Sequence, residues 1–491
     1  MHFDEVLEHL GEMGRYQWRM LFFVGLPILF VGMETMAPVF LAAVPHHRCF
    51  VPGCDDPIDP TYSAPWLNGT IPWEMRDGAW QRSQCDYYAV PSDVVRNCSV
   101  ARRRGDADDK PRVATCDRWV YDTSIYAATV TTEFDVVCGR EWLMALSQAM
   151  FMAGILVGNA VFGSLSDKYG RKPLLFVALV LMVASGVGSP FTTNIYAYTA
   201  VRFLVGMGCS MFAVAFILGV EMCGPSKRLL AGMLGMYWFA LSYLTLAGVA
   251  YFFRDWKQLS LIISCPAAIF FGFWWLIPES VRWLISQGRM EEAEAIVRKV
   301  AVVNRVRLPD SLFDSLEEET ERDHMKHKDT ILDLFRSRVI LLRTIALGYV
   351  WFVNSLVYYG LSLNTNGLGG DPYVDFILIG AVEIPSYTFC LLTLDRLGRR
   401  PVLCLIMLLG GAACILVGFI PEDLHWLTVT LAMVGKFGIS GSFASIFIYT
   451  GELLPTPLRS TGTGIASMMA RVGGIVSPFA VMLVSAGLSL S

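Results

Sequence analysis

Charge is scarce in this chain. Asp, Glu, Lys and Arg make up 17% of its 491 residues, against 54% hydrophobic ones, and the mean hydropathy is +0.49. That balance excludes an ordinary soluble globular protein. The net charge of −4 is too small to point to a nucleic-acid partner. The short motifs of phosphate and hydrolytic chemistry are also missing. There is no G-x-x-x-x-G-K-[ST] loop, no H-E-x-x-H and no nucleophile elbow, so neither an ATP-driven pump nor a hydrolase is supported. No enzyme activity, cofactor or metal ion is expected, and the cysteines lack the paired C-x-x-C spacing of a zinc site. No cleavable signal peptide is expected, because the first nineteen residues are polar and the apolar run after them is too long.

What the chain has instead is long apolar runs. A helix needs about 20 such residues to cross a bilayer. Eleven runs qualify, near 20–44, 142–162, 173–193, 196–220, 230–253, 258–277, 340–363, 374–394, 401–420, 426–449 and 461–487. The fold class is therefore an all-α membrane protein. The first nineteen residues read as a polar arm, expected to be a cytoplasmic amphipathic helix.

Two hydrophilic blocks interrupt the runs. Residues 45–141 hold six of the twelve cysteines, Cys49, Cys54, Cys85, Cys98, Cys116 and Cys138. An even number in one non-membrane segment implies disulfides and an oxidising exterior, with connectivity left open among fifteen pairings. Two glycosylation sequons, at Asn68 and Asn97, agree with an extracellular placement. The loops after spans 2, 4, 6, 8 and 10 are then cytoplasmic, and they carry the excess of Lys and Arg. Residues 278–338 form a heavily charged linker, expected to lie as short amphipathic helices under the bundle.

The membrane parts on either side of that linker echo each other. Asp167-Lys168-Tyr169-Gly170-Arg171-Lys172-Pro173 recurs as Asp395-Arg396-Leu397-Gly398-Arg399-Arg400-Pro401. Glu221, Pro225 and Arg228 recur as Glu452, Pro455 and Arg459. A six-span repeat implies two halves related by an axis along the membrane normal, here 1–277 and 339–491. Only five spans follow the linker, so the twelfth helix is expected to be absent from this chain. Asp167, Arg171, Glu221, Arg228, Asp395, Arg399, Glu452 and Arg459 are expected to cluster at the cytoplasmic face as a breakable ion-pair latch. Asp167 can also face the positive N-terminal end of a neighbouring helix.

The motif Gly163-Ser164-Leu165-Ser166-Asp167-Lys168-Tyr169-Gly170-Arg171-Lys172 resembles the signature loop of the major facilitator transporters. Four further stretches narrow the resemblance: Pro278-Glu279-Ser280-Val281-Arg282-Trp283-Leu284, Gly451-Glu452-Leu453-Leu454-Pro455-Thr456-Pro457-Leu458-Arg459, Phe352-Val353-Asn354-Ser355-Leu356-Val357-Tyr358-Tyr359-Gly360-Leu361-Ser362, and Val382-Glu383-Ile384-Pro385. With the cysteine-bearing loop after span 1, they resemble the organic cation, anion and carnitine transporter family, and most of all its insect-type organic cation transporters. The resemblance runs over the whole chain. It implies a multi-pass plasma-membrane carrier of small organic molecules, working by alternating access.

Four ionisable residues lie at mid-bilayer depth: Glu34, Glu383, Lys436 and Arg471. Each is costly there, which marks a polar cavity or a fixed ion pair between helices. Glu383 and Arg471 are the stronger cavity candidates, because Pro385 follows the first and Gly473-Gly474 and Pro478 follow the second. The resemblance associates a basic residue on span 11 with anion carriers. Combined with acidic Glu383 on span 8, it implies a cation or a carnitine-like zwitterion as substrate. Trp351, Ser355, Tyr358 and Ser362 share one face of span 7, and Tyr358 matches a tyrosine lining the family's cavity. Tyr237, Trp238, Phe443 and Phe447 are further aromatic candidates for holding an amine. Glu34, Glu383 and His425 are possible proton relays. An organic anion carrier and a non-transporting sensor on the same fold are the alternative readings.

Overall fold

The computed structural model describes residues 3–76, 79–89, 112–308, 338–364, 370–420, 424–454 and 459–488. Eleven helices among them are long and apolar enough to cross a membrane. Spans 1 to 6 are Arg15–Leu41, Cys138–Tyr169, Arg171–Phe191, Ile195–Glu221, Pro225–Phe252 and Trp256–Trp275. Spans 7 to 11 are Arg338–Leu363, Pro372–Leu397, Arg399–Val417, Trp426–Leu453 and Gly462–Leu483. Pro385 and Pro478 lie inside continuous helices.

The repeat shows in the backbone. Gly170 and Gly398 each end one span and begin the next, with φ of 106° and 88°. L side chains rarely adopt that region, so both signature loops need glycine at the turn. It shows also in how the halves meet: span 5 packs on span 8, and span 2 on span 11. With spans 7 to 11 repeating spans 1 to 5, these are the same contact made twice about the pseudo-two-fold axis. Within the first half, Gly154 and Gly206 bring spans 2 and 4 together. A Cβ on either would overlap a backbone carbonyl of the other helix.

Between spans 1 and 2 the described residues of the insert form three antiparallel strand pairs, His47–Cys49 with Trp119–Tyr121, Trp73–Arg76 with Ala79–Arg82, and Asp86–Tyr88 with Val113–Thr115. So small a unit has little hydrophobic core, and cross-links supply what packing cannot. Disulfides join Cys49 to Cys116 and Cys85 to Cys138, and Cys54 is also disulfide-bonded. Arg48 and Asp55 form a buried two-pronged pair beside them, at 2.7 and 2.8 Å. Asn68 is exposed. Cys98 and Asn97 lie outside the described residues.

At the opposite end, the polar arm is helical over Phe3–His9. Val6, Leu7 and Leu10 are buried, and Leu7 and Leu10 face Val281, Val297 and Val300 of the linker helices Val281–Ser286 and Met290–Asn304. Asp4 pins the arm, 2.5 Å from both Arg228 and Arg282. Burial raises the Asp4 pKa, but the two guanidiniums outweigh it and hold the carboxyl below its usual value. Its contribution is therefore full above the ordinary carboxylate range and fades as pH falls through the lowered pKa. Because all three side chains are partly exposed, Asp4→Asn is expected to cost no more than about 1 kcal/mol. Faster proteolysis of the arm, with an almost unchanged melting temperature, would show this.

Candidate functional site

Three helices of the second half each contribute an i,i+4 pair to one buried cluster: Tyr358 and Ser362, Glu383 and Tyr387, Lys436 and Ser440. That spacing stacks two side chains on one helical face. The Lys436 ammonium lies 2.7 Å from Glu383 Oε1 and donates to Ser362 Oγ at 2.6 Å. It also sits 3.5 Å from the centre of the Tyr358 ring. Tyr358 donates to Glu383 Oε1 at 2.6 Å, and Tyr387 to Oε2 at 3.1 Å. Both charged side chains are 0% exposed. A buried ion pair persists only when its remaining valences are filled, and here hydroxyls fill them.

The first half enters the cluster through Tyr243 of span 5. Its hydroxyl lies 3.1 Å from that of Tyr358 and 3.5 Å from Lys436 Nζ. Tyr243 can approach because it packs on Gly380 of span 8, where a side chain would collide with it. The cluster thus straddles the boundary between the halves, inside the bundle of spans. Further toward the insert, Phe40 stacks on Tyr373 and meets Phe376 edge-on, with ring centres 5.4 and 5.0 Å apart.

Several sequence expectations are corrected here. Glu383, expected to face an open cavity, is instead paired with Lys436, which projects from span 10 at the level of Glu383. Arg471 makes no ion pair among the described residues. It reaches only the Tyr359 hydroxyl, at 3.5 Å, and its Nε is buried without a partner. Glu34 is held apart within the first half. Arg202 of span 4 reaches its Oε2 at 3.5 Å and its backbone carbonyl at 3.3 Å, and Ser264 of span 6 donates to Oε1 at 2.6 Å. Trp238 packs on Gly25 and Phe22 of span 1. Its neighbour Tyr237 faces span 8 instead and bonds Thr388 at 2.7 Å, since adjacent helical residues point about 100° apart. Trp351 is fully buried, donates to Thr450 at 2.9 Å and packs on Phe443 and Phe447. It is a core residue one layer from the charges; Phe443 bridges the two layers by also meeting Tyr358. The His425 side chain lies outside the described residues.

The expected latch resolves into one triad per half. In the first, Arg171 meets Asp167 at 2.5 Å and Glu221 at 3.8 Å. In the second, Arg399 meets Asp395 and Glu452, both at 2.9 Å. Each triad stays inside its own half, so among the described residues neither bridges the two. Arg228 is drawn away to Asp4, and the side chain of Arg459 lies outside the described residues. The anion at the N-terminus of span 3 is not Asp167 but Glu279, which accepts from the backbone N–H groups of Arg171 and Lys172 at 2.8 and 3.1 Å. Ser280 donates to Glu221 at 2.5 Å, and Trp283 to the Asp167 carbonyl at 2.8 Å. The Pro278–Leu284 stretch therefore fastens the linker to the first triad.

Sequence reasoning missed Tyr243, Tyr387 and Arg202. Tyr387 was findable, four residues past Glu383 on the same face. The other two depend on contacts between distant spans.

A helical bundle of two repeated halves, with an occluded charge cluster at their boundary, defines a major facilitator transporter. The comparisons agree. The sugar (and other) transporter family matches residues 86–489. The proton:xylose symporter bound to 6-bromo-6-deoxy-D-glucose shares the fold at 17% identity and a TM-score of 0.60, over 96% of this chain and 89% of that one. The E. coli xylose transporter in a partially occluded inward-open conformation gives 0.58 at 15% identity, over 97% of this chain and 96% of that one. The organic cation transporter protein of Drosophila melanogaster is 39% identical across 98% of this chain and 87% of its own length. Organic cation/carnitine transporter 2 of Mus musculus is 37% identical across 98% and 86%. The chain belongs to the organic cation, anion and carnitine transporter family, solute carrier family 22, and is a multi-pass membrane transporter rather than an enzyme.

Proposed function

We propose that this protein carries small organic cations or carnitine-like zwitterions across the plasma membrane by alternating access, as a facilitative and polyspecific transporter. The observation that carries the reading is the Glu383 carboxylate, which accepts from Tyr358 and Tyr387 and holds an ammonium in place, with Tyr243 behind Tyr358. A carboxylate with aromatic faces is what a protonated or quaternary amine requires. Arg471, unpaired among the described residues, supplies a place for a carboxylate or other polar end. The relatives' names point the same way, since they are called organic cation and organic cation/carnitine transporters.

The insert is assigned to the extracellular side, and the arm, linker and both triads to the cytoplasm, from the cysteines, the sequons and the loop charges. The membrane potential then favours entry of a cation by about 2.3 kcal/mol per charge per 100 mV. The triads, Asp167–Arg171–Glu221 and Asp395–Arg399–Glu452, brace the cytoplasmic ends of their own halves while those halves rock around the central cluster.

The test is uptake of labelled L-carnitine, tetraethylammonium and p-aminohippurate into cells expressing the protein. Carnitine or tetraethylammonium is expected to accumulate, and Arg471→Ala is expected to lower carnitine uptake at least about fivefold while sparing tetraethylammonium, as loss of one charge-assisted contact predicts. Accumulation of p-aminohippurate alone, abolished by Arg471→Ala, would establish the organic anion reading.

A further inference from the structure

Lys436 stands where a substrate amine would stand. Its ammonium has a carboxylate at 2.7 Å, a hydroxyl at 2.6 Å and an aromatic ring face at 3.5 Å, and it has no exposure to solvent. We infer that Lys436 is a tethered counter-cation, neutralising Glu383 when no substrate is bound so that the empty carrier can return, and giving way when a substrate amine arrives. The inference rests on the cation-or-zwitterion reading above.

A carrier of this kind must reorient both loaded and empty. In the loaded passage the substrate amine compensates Glu383. In the empty passage something else must, because an unpaired carboxylate in a sealed, low-dielectric cluster is among the costliest groups a protein can hold. Lys436 fits that part by geometry. Its flexible four-carbon stem can swing a point charge off Glu383 without moving span 10. Ser362, whose own hydroxyl is tied to the Tyr358 carbonyl at 2.6 Å, gives the ammonium a second anchor that does not involve the carboxylate. In the exchange the substrate amine takes Glu383, and the released ammonium keeps its bond to Ser362.

The experiment separates net influx from exchange. Labelled L-carnitine and tetraethylammonium are offered to cells that are either substrate-free or preloaded with the same unlabelled compound, and rates are normalised to surface protein. Lys436→Gln removes the counter-cation. Exchange uses only loaded passages and is expected to fall less than about threefold, whereas net influx, which needs the empty return, is expected to fall on the order of a hundredfold. Lys436→Arg keeps the charge and is expected to restore most net influx. Lys436→Met repeats the test with a similar stem if the glutamine variant is held inside the cell. Equal loss in both modes, or unchanged net influx, overturns the inference alone. So does failure of both neutral variants to reach the surface when Lys436→Arg does, since Lys436 is then only a brace. If the wild-type protein accumulates neither probe, the reading beneath the inference falls and takes it along.

Discussion

Glu383→Gln is expected to reduce uptake of carnitine and tetraethylammonium by two orders of magnitude or more, with surface expression largely kept. The carboxylate accepts from Tyr358, Tyr387 and Lys436 at once, and neutralising it leaves the Lys436 ammonium in a dry cluster without its counter-charge. Breaking a buried pair from one side costs about 3–5 kcal/mol, and every 1.4 kcal/mol is a factor of ten. The amide retains the shape of the acid and can still hydrogen-bond the tyrosines, which is why the protein should assemble while the site fails. Initial-rate uptake, normalised to biotinylated surface protein, measures the effect. Retention of more than half the wild-type rate would remove Glu383 from the centre of the mechanism.

Arg202→Met should be the most destabilising single change in the first half. It strands Glu34, 2% exposed, with Ser264 as its one remaining side-chain partner among the described residues, and it removes the guanidinium that lies 4.4 Å from the Phe151 ring centre. A loss of about 3–5 kcal/mol is expected, seen as a large drop in melting temperature of the detergent-solubilised protein. The double variant Glu34→Gln/Arg202→Met carries no stranded charge and should recover much of the loss. The cycle of single and double variants isolates the coupling. Additive losses would mean that the two residues stabilise the protein independently.

How far the sequence was legible follows from the range of each interaction. The spans, the repeated loops and the two halves are written in local composition and spacing, and they could be read directly. So could the depth of Glu34, Glu383, Lys436 and Arg471, since depth depends only on position along a helix. Partnership does not. Whether Glu383 faces Lys436 or Arg471 is set by the rotation of spans 8, 10 and 11 about their axes, which hydrophobic periodicity leaves undetermined when every face is apolar. The same limit explains Trp238, whose neighbour Tyr237 takes the face toward span 8, and Arg202, which lies in an apolar run with nothing beside it to announce Glu34. For Arg228, the competing acid lay in the terminal arm, more than two hundred residues away in sequence.

The aromatic seam on the insert side has a kinetic meaning. Phe40, Tyr251, Tyr373 and Phe376 hold the halves together there through ring contacts and one long hydrogen bond, from Tyr373 to the Ala250 carbonyl at 3.5 Å. Ring contacts of this sort are worth about 0.5–1.5 kcal/mol each and carry no charge to be rehydrated when they part. A gate made this way can open on thermal energy alone and is nearly indifferent to salt. Sensitivity of turnover to ionic strength should then trace to the charged triads that brace each half at the other end of the bundle, and not to this seam.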